Sequence, residues 1–147
     1  MEQYTAYRPV DANGFVTFLS VEIDKYGEIR SVALDASNDE NEYKSTSKEY
    51  NDKMFAESKT YYRHAIRQLE KQILQNKENL DAVSGATVIS EDAQLLLDNI
   101  HQQFNAKQAI DHKDVLIDKV ITELDKNNIE IMDFIGGLIQ KRQQNNA

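Results

Sequence analysis

Two periodicities divide this chain. Phe15 to Asp24 is rich in β-branched and aromatic residues, with Val21 and Ile23 on one face. Ile29 to Leu34 returns, with Ile29 alternating with its polar neighbours, and apolar positions repeating on one face predict half-buried strands. Lys25-Tyr26-Gly27-Glu28 closes these two into a hairpin. Tyr4 to Val10 is expected as a preceding strand, with Pro9 near its end and Asp11-Ala12-Asn13-Gly14 as the turn. Ser37 to Lys44 is polar and acidic and is expected as a loop. The period then changes. Thr46 and Glu49 form a capping-box pattern opening a short helix towards Phe55. Tyr62, Ile66, Leu69 and Ile73 recur at spacings of four, three and four, predicting a helix from about Thr60 to Gln75. Ala93, Leu96, Leu97, Ile100 and Phe104 share a face of a third helix, for which Ser90 is the expected N-cap and Glu91 and Asp92 the first turn.

After Asn105 the pattern shifts. Val115, Val120, Ile121 and Leu124 lie at helical spacing within Asp111 to Asp125. Lys126-Asn127-Asn128 is a turn signal, and Ile129 to Arg142 carries Ile131, Met132, Ile135, Leu138 and Ile139. The pair Gly136-Gly137 is expected to break this last helix, although two glycines also permit close helix packing across a dimer. The fold class read from these patterns is α+β: a small, mainly antiparallel sheet with packed helices, plus a C-terminal helical hairpin. The domain at residues 1–105 is followed by a helical extension at 106–142 and a disordered tail at 143–147.

Composition narrows the functions open to the chain. A net charge of −8 over 147 residues argues against nucleic acid as a partner and against docking on an anionic membrane surface, so membrane association would come only through another component. The absence of cysteine removes disulfides, thiolate nucleophiles and cysteine-ligated metal centres. The N-terminal stretch lacks a signal-peptide pattern and an N-terminal Cys for lipid attachment. Both a cytoplasmic location and a mature or trimmed segment stay open. No nucleophile–base pattern, P-loop or dinucleotide fingerprint occurs.

The candidate chemistry lies in Asp81-Ala82-Val83-Ser84-Gly85-Ala86-Thr87, a run of small and hydroxyl residues feeding a helix. The first N–H groups of a helix lack partners and the helix dipole favours negative charge there, so such a loop can seat a phosphate. Gly85 allows close approach and positive φ. Ser84, Thr87 and Ser90 offer hydroxyls; the competing reading is ordinary turn and cap chemistry.

Asp81-x-x-Ser84-Gly85-Ala86-Thr87 resembles the signature of the FMN-binding domain family, which includes the C subunit of sodium-pumping NADH:quinone reductase, the G subunit of Rnf complexes and Gram-positive surface flavoproteins. Gly14-Phe15 with Val21 to Val32 is similar to the family's opening hairpin, and Glu49 to Met54 resembles a recurring helical stretch. The resemblance spans approximately the first hundred residues and leaves the last forty unexplained. Ile89 stands where many relatives carry a hydroxyl. The resemblance implies an electron-transfer domain carrying FMN on a phosphoester at Thr87. A flavin transferase would attach it, with FAD as the FMN source. Ser84, Gly85, Ala86 and Ser90 would surround the phosphate, and Asp81 would belong to the sequence read by the transferase. It further implies a redox partner protein or quinone-linked electron donor, and an extracytoplasmic, membrane or cell-surface setting. Such a chain is a carrier more than a stand-alone enzyme.

Two other readings stay open: a flavin-free interaction or scaffold module that forms a homodimer through its C-terminal helices, and a noncovalent flavin-binding protein. Tyr61 and Tyr62 are read as core before flavin-stacking residues. His64, His101 and His112 are expected to be structural. Asp35, Asp39, Glu40 and Glu42 are read as a solvated acidic loop rather than a calcium site.

Overall fold

The computed structural model describes residues 1–127 and 130–145. The fold is α+β. Strands β1 (Glu2–Tyr7), β2 (Val16–Ile23) and β3 (Ile29–Ser37) form one antiparallel sheet in the order β1-β2-β3. A 3-10 turn (Lys44–Thr46) and helices α1 (Lys48–Ser58), α2 (Tyr62–Leu74), α3 (Thr87–Lys126) and α4 (Ile131–Asn145) follow. The chain divides into two compact units, Met1–Asn105 and Ala106–Ala147, with the division falling inside α3.

Three turns of the first unit share one geometry. In each, an Asx residue opens the turn and its Oδ1 accepts two backbone N–H bonds: from Asn13 and Phe15 at Asp11, from Tyr26 and Glu28 at Asp24, and from Glu40 and Glu42 at Asn38. The fourth residue takes positive φ in each: Gly14 at 84°, Gly27 at 84° and Asn41 at 60°. This side-chain bonding is why Asx residues lead such turns, and the left-handed position favours Gly or Asn. The first two turns set the register of the sheet. The third extends β3 to Ser37, three residues beyond Leu34, and a Ser37–Tyr43 bridge closes it.

One sheet face is apolar. Tyr4, Ala6, Leu19, Val21, Ile23, Ile29 and Leu34 meet Tyr62, Ala65, Ile66, Leu69 and Ile73 of α2 and Ala93, Leu96, Leu97 and Ile100 of α3 in one core. The free edge of β3 is covered by side chains. Glu70 of α2 accepts the N–H of Leu34 at 3.1 Å, and Asn76 accepts that of Ile29 at 2.8 Å. Unpaired edge groups invite strand addition, and these two carboxyl and carboxamide oxygens satisfy two of them.

Several element limits differ from the sequence expectation. Helix α1 is capped by Ser47, whose Oγ accepts the N–H of Tyr50 at 3.2 Å, while Thr46 lies in the 3-10 turn. Helix α3 continues past Asn105, because Ala106-Lys107-Gln108-Ala109 are good helix formers with no Gly or Pro among them. Helix α4 runs through Gly136-Gly137: glycine costs about 1 kcal/mol per helix position, which weakens a helix without breaking it. It also extends to Asn145, beyond Arg142. Asn128 and Ile129 of the expected turn and helix start, and residues 146 and 147 of the expected tail, lie outside the described residues.

Lys44 is buried inside the first unit. Its Nζ donates to Asp11 Oδ2 at 2.6 Å and lies 4.6 Å from the Tyr50 ring centroid and 5.4 Å from that of Phe15. A buried ammonium needs such a partner, and the ring faces add cation–π attraction. Burial pushes the Asp11 carboxyl pKa up. The Lys44 ammonium and the N–H groups of Phe15 and Asn13 outweigh it, and the net effect holds the carboxyl below its ordinary value. A depressed carboxyl stabilises the fold above its unfolded pKa, and that stability disappears as pH falls through the folded value. Urea midpoints measured from pH 7 to pH 2 should therefore fall more for the parent than for Asp11→Asn, with the difference closing below about pH 4. Parallel curves would remove Asp11 from the account.

Candidate functional site

The chain from α2 to α3 is pinned by side chains at four places. Gln72 holds Asp81 at both backbone groups: its Oε1 accepts the Asp81 N–H at 2.7 Å and its Nε2 donates to the Asp81 carbonyl at 3.0 Å. Gln94 does the same from α3, accepting the Leu80 N–H at 2.7 Å and donating to the Glu78 carbonyl at 2.9 Å. The Thr60 hydroxyl donates to the Ser84 carbonyl at 2.8 Å. The Ser90 hydroxyl accepts the Val83 N–H at 2.9 Å and donates to the Ala86 carbonyl at 2.7 Å.

Within this frame Val83 to Ala86 makes a tight turn, with the Ala86 N–H donating to the Val83 carbonyl at 3.0 Å and Gly85 at φ 75°. A Cβ at Gly85 would lie 2.5 Å from both the Ser58 carbonyl oxygen and Thr60 Oγ1. The glycine is thus required twice, for its dihedral and for the close approach of the α1–α2 connection. Val83 and Ala86 are buried and anchor the turn to the core.

Helix α3 begins at Thr87, three residues before the expected start. Ser90 is consequently not its N-cap. It is buried in the first turn, with its hydroxyl committed to the loop's own backbone. Glu91 and Asp92 fall beyond the first turn; Asp92 pairs with Arg8 at 3.1 Å. Thr87 is exposed at the head of the helix, where N–H groups point outward without intrahelical partners. Ser84 is exposed beside it in the turn, and Ala86 backs both from the core. Asp81 is exposed and pairs with Lys77. The structure thereby brings Ser84, Gly85, Ala86 and Thr87 to one surface turn, with Ser90 behind it and Asp81 at its entrance.

The supporting residues Thr60, Gln72, Gln94 and Lys77 escape the sequence reading. Thr60 and Gln94 act across 24 and 14 residues, a separation at which no local pattern signals a contact. The other candidates take structural places. Tyr62 is a core residue. Its hydroxyl has no partner among the described residues, and burial pushes its pKa far above the ordinary value. Tyr61 stacks on Phe55 at 4.4 Å, and His64 packs edge-on to Tyr61. Asp35 accepts the hydroxyl and N–H of Ser45. No group of three or more metal-ligating side chains occurs among the described residues.

No family model matches the chain. It is 36% identical over 87 residues to a 15 kDa lipoprotein of Treponema pallidum (strain Nichols), covering 58% of this chain and 61% of that protein's length. The crystal structure of the CPE2226 protein from Clostridium perfringens superposes with a TM-score of 0.59 at 28% identity, covering 69% of this chain and 88% of that one.

Proposed function

We propose that the chain is an FMN-binding electron-transfer domain carrying FMN as a phosphoester on Thr87. The observation that supports this reading is the exposed Thr87 hydroxyl at the first residue of α3, on a turn whose backbone is held from four directions. That turn bears the residues through which the sequence resembles the FMN-binding domain family. The residues fit a tethered phosphate. Outward N–H groups at the helix head favour an anion, Ser84 adds an accessible hydroxyl, and Gly85 keeps the turn tight.

The roles divide accordingly. Thr87 supplies the oxygen that bonds to phosphorus. Ser90 and Ala86 hold the turn rather than the ligand. Asp81 lies exposed, where a transferase can read it. In the attachment step the Thr87 hydroxyl loses its proton, its Oγ bonds to the FMN phosphorus of FAD, the anhydride bond breaks and AMP leaves. Bound FMN supplies one- or two-electron redox chemistry, exchanged with a redox partner protein or a quinone-linked donor. Any membrane association comes through another component.

Coexpression with a flavin transferase, with FAD present, tests the reading by intact mass. The parent should gain one FMN. Thr87→Ala should gain none while melting within about 1 °C of the parent, because an exposed hydroxyl contributes little to stability. A parent without added mass, or an alanine variant that keeps it, overturns the proposal.

A further inference from the structure

The second unit carries far more aliphatic surface than it covers. Between Ala106 and Asn145 ten large aliphatic side chains are 38% to 75% exposed, and only Leu124 is buried among the residues whose side chains are described. They form stripes. On α3, Ile110, Leu116, Ile117, Val120 and Ile121 fall with Leu124 within an arc of about 140° at 100° per residue. On α4, Met132, Ile135, Leu138 and Ile139 fall within about 120°. A stripe this wide is that of a helix in a bundle, broader than the seam of a two-stranded coil.

We infer that the second unit is a homodimerisation surface, in which the two helices of one chain pair with those of a second copy in a four-helix arrangement. Area supports this occupant. Side chains of this kind at about half exposure leave on the order of 500 Å² of apolar surface per copy. A standard interface takes about 800 Å² from each partner, roughly 65% of it apolar in homodimers. Charge supports it too. The first unit holds eleven basic and eighteen acidic side chains, whereas the second holds six and seven. The net charge of the molecule thus sits almost entirely on the first unit, and the second meets its own copy without marked repulsion. The same balance gives no attraction to an anionic bilayer, and no helix among the described residues is long and apolar enough to cross one. The inference is independent of the flavin.

Light scattering of the full chain, coupled to gel filtration, tests it. A mass twice the 16.9 kDa of one chain is expected at tens of micromolar. Ile121→Lys combined with Leu138→Lys should weaken the dimer at least 100-fold, leaving monomer at that concentration. All seven tyrosines lie in the first unit, so an unchanged near-ultraviolet dichroism spectrum in this variant shows that unit to be intact. Val88→Lys, an exposed position of the first unit, should leave the dimer in place. A monomeric parent, a dimer untouched by the double substitution, or a parent that stays monomeric and sediments with phosphatidylcholine vesicles would each overturn the inference.

Discussion

Replacing Asn51 with alanine is expected to destabilise the protein by about 3–5 kcal/mol. Asn51 is fully buried. Its Nδ2 donates to the Lys44 carbonyl at 2.9 Å and the Ser47 carbonyl at 2.8 Å, and its Oδ1 accepts the Arg63 N–H at 3.0 Å. One side chain therefore closes the 3-10 turn, braces the start of α1 and supplies the missing cap of α2, whose N-cap Tyr61 makes no side-chain bond of its own. Alanine leaves the Arg63 N–H without its acceptor and strips the Lys44 and Ser47 carbonyls to their backbone bonds from Ser47 and Asn51, at about 1–3 kcal/mol for the group left unpaired, and opens a cavity besides. Urea denaturation gives the loss directly, and thermal melting should fall by more than about 10 °C. A loss below about 1 kcal/mol would mean that water takes over the three bonds.

The second large effect is expected at Gly85. Gly85→Ala should cost about 2–4 kcal/mol, because the positive φ and the 2.5 Å approach to the Ser58 carbonyl act together. Gly14 provides the control. It has φ 84° with nothing within 4 Å of an added Cβ, so Gly14→Ala should lose only about 1–2 kcal/mol. The difference between the two variants measures the clash. Only the change at Gly85 displaces the turn that presents Thr87, so the FMN mass gain in coexpression should also drop there and not at Gly14. Equal losses at both glycines would show that the α1–α2 connection yields, and that the turn is not held as described.

Much of the fold is legible in the residue pattern. The face shared by Val21 and Ile23 and the four-three-four spacing of Tyr62, Ile66, Leu69 and Ile73 mark the buried faces, because a half-buried element must repeat its apolar positions at its own period. The register shift at Glu22/Ile23, which lets Ile29 and Leu34 both be buried five positions apart, leaves no such mark. The Asp11 and Asp24 turns are readable for a similar reason: the Asx side chain bonds its own neighbours, so the cause is local. The loop from Asp81 to Thr87 is likewise visible as small residues leading into a helix.

Less visible is what depends on distant partners. Lys44 reads as a polar loop residue, yet it is buried, because Asp11 lies 33 positions away in sequence and only folding brings its carboxylate to the ammonium. Glu70 of α2 is buried with its carboxylate on the Leu34 N–H of the β3 edge, 36 positions away in sequence. Ser90 suggests an N-cap by its identity. The Ala86–Ser90 backbone bond starts the helix earlier, and its hydroxyl is drawn inward to the Val83 N–H.

The chain's own order of residues determined which elements form, which faces they bury and where its turns fall, since those depend on groups within a few positions of one another. Tertiary structure alone decided that Asn51 caps a helix it does not belong to, that the loop before α3 is held rigid by Thr60, Gln72 and Gln94, and that Thr87 faces outward while Ser90 faces inward. Each of those outcomes depends on a side chain meeting backbone donors or acceptors that no local period brings beside it, a pairing that exists only once the elements have packed.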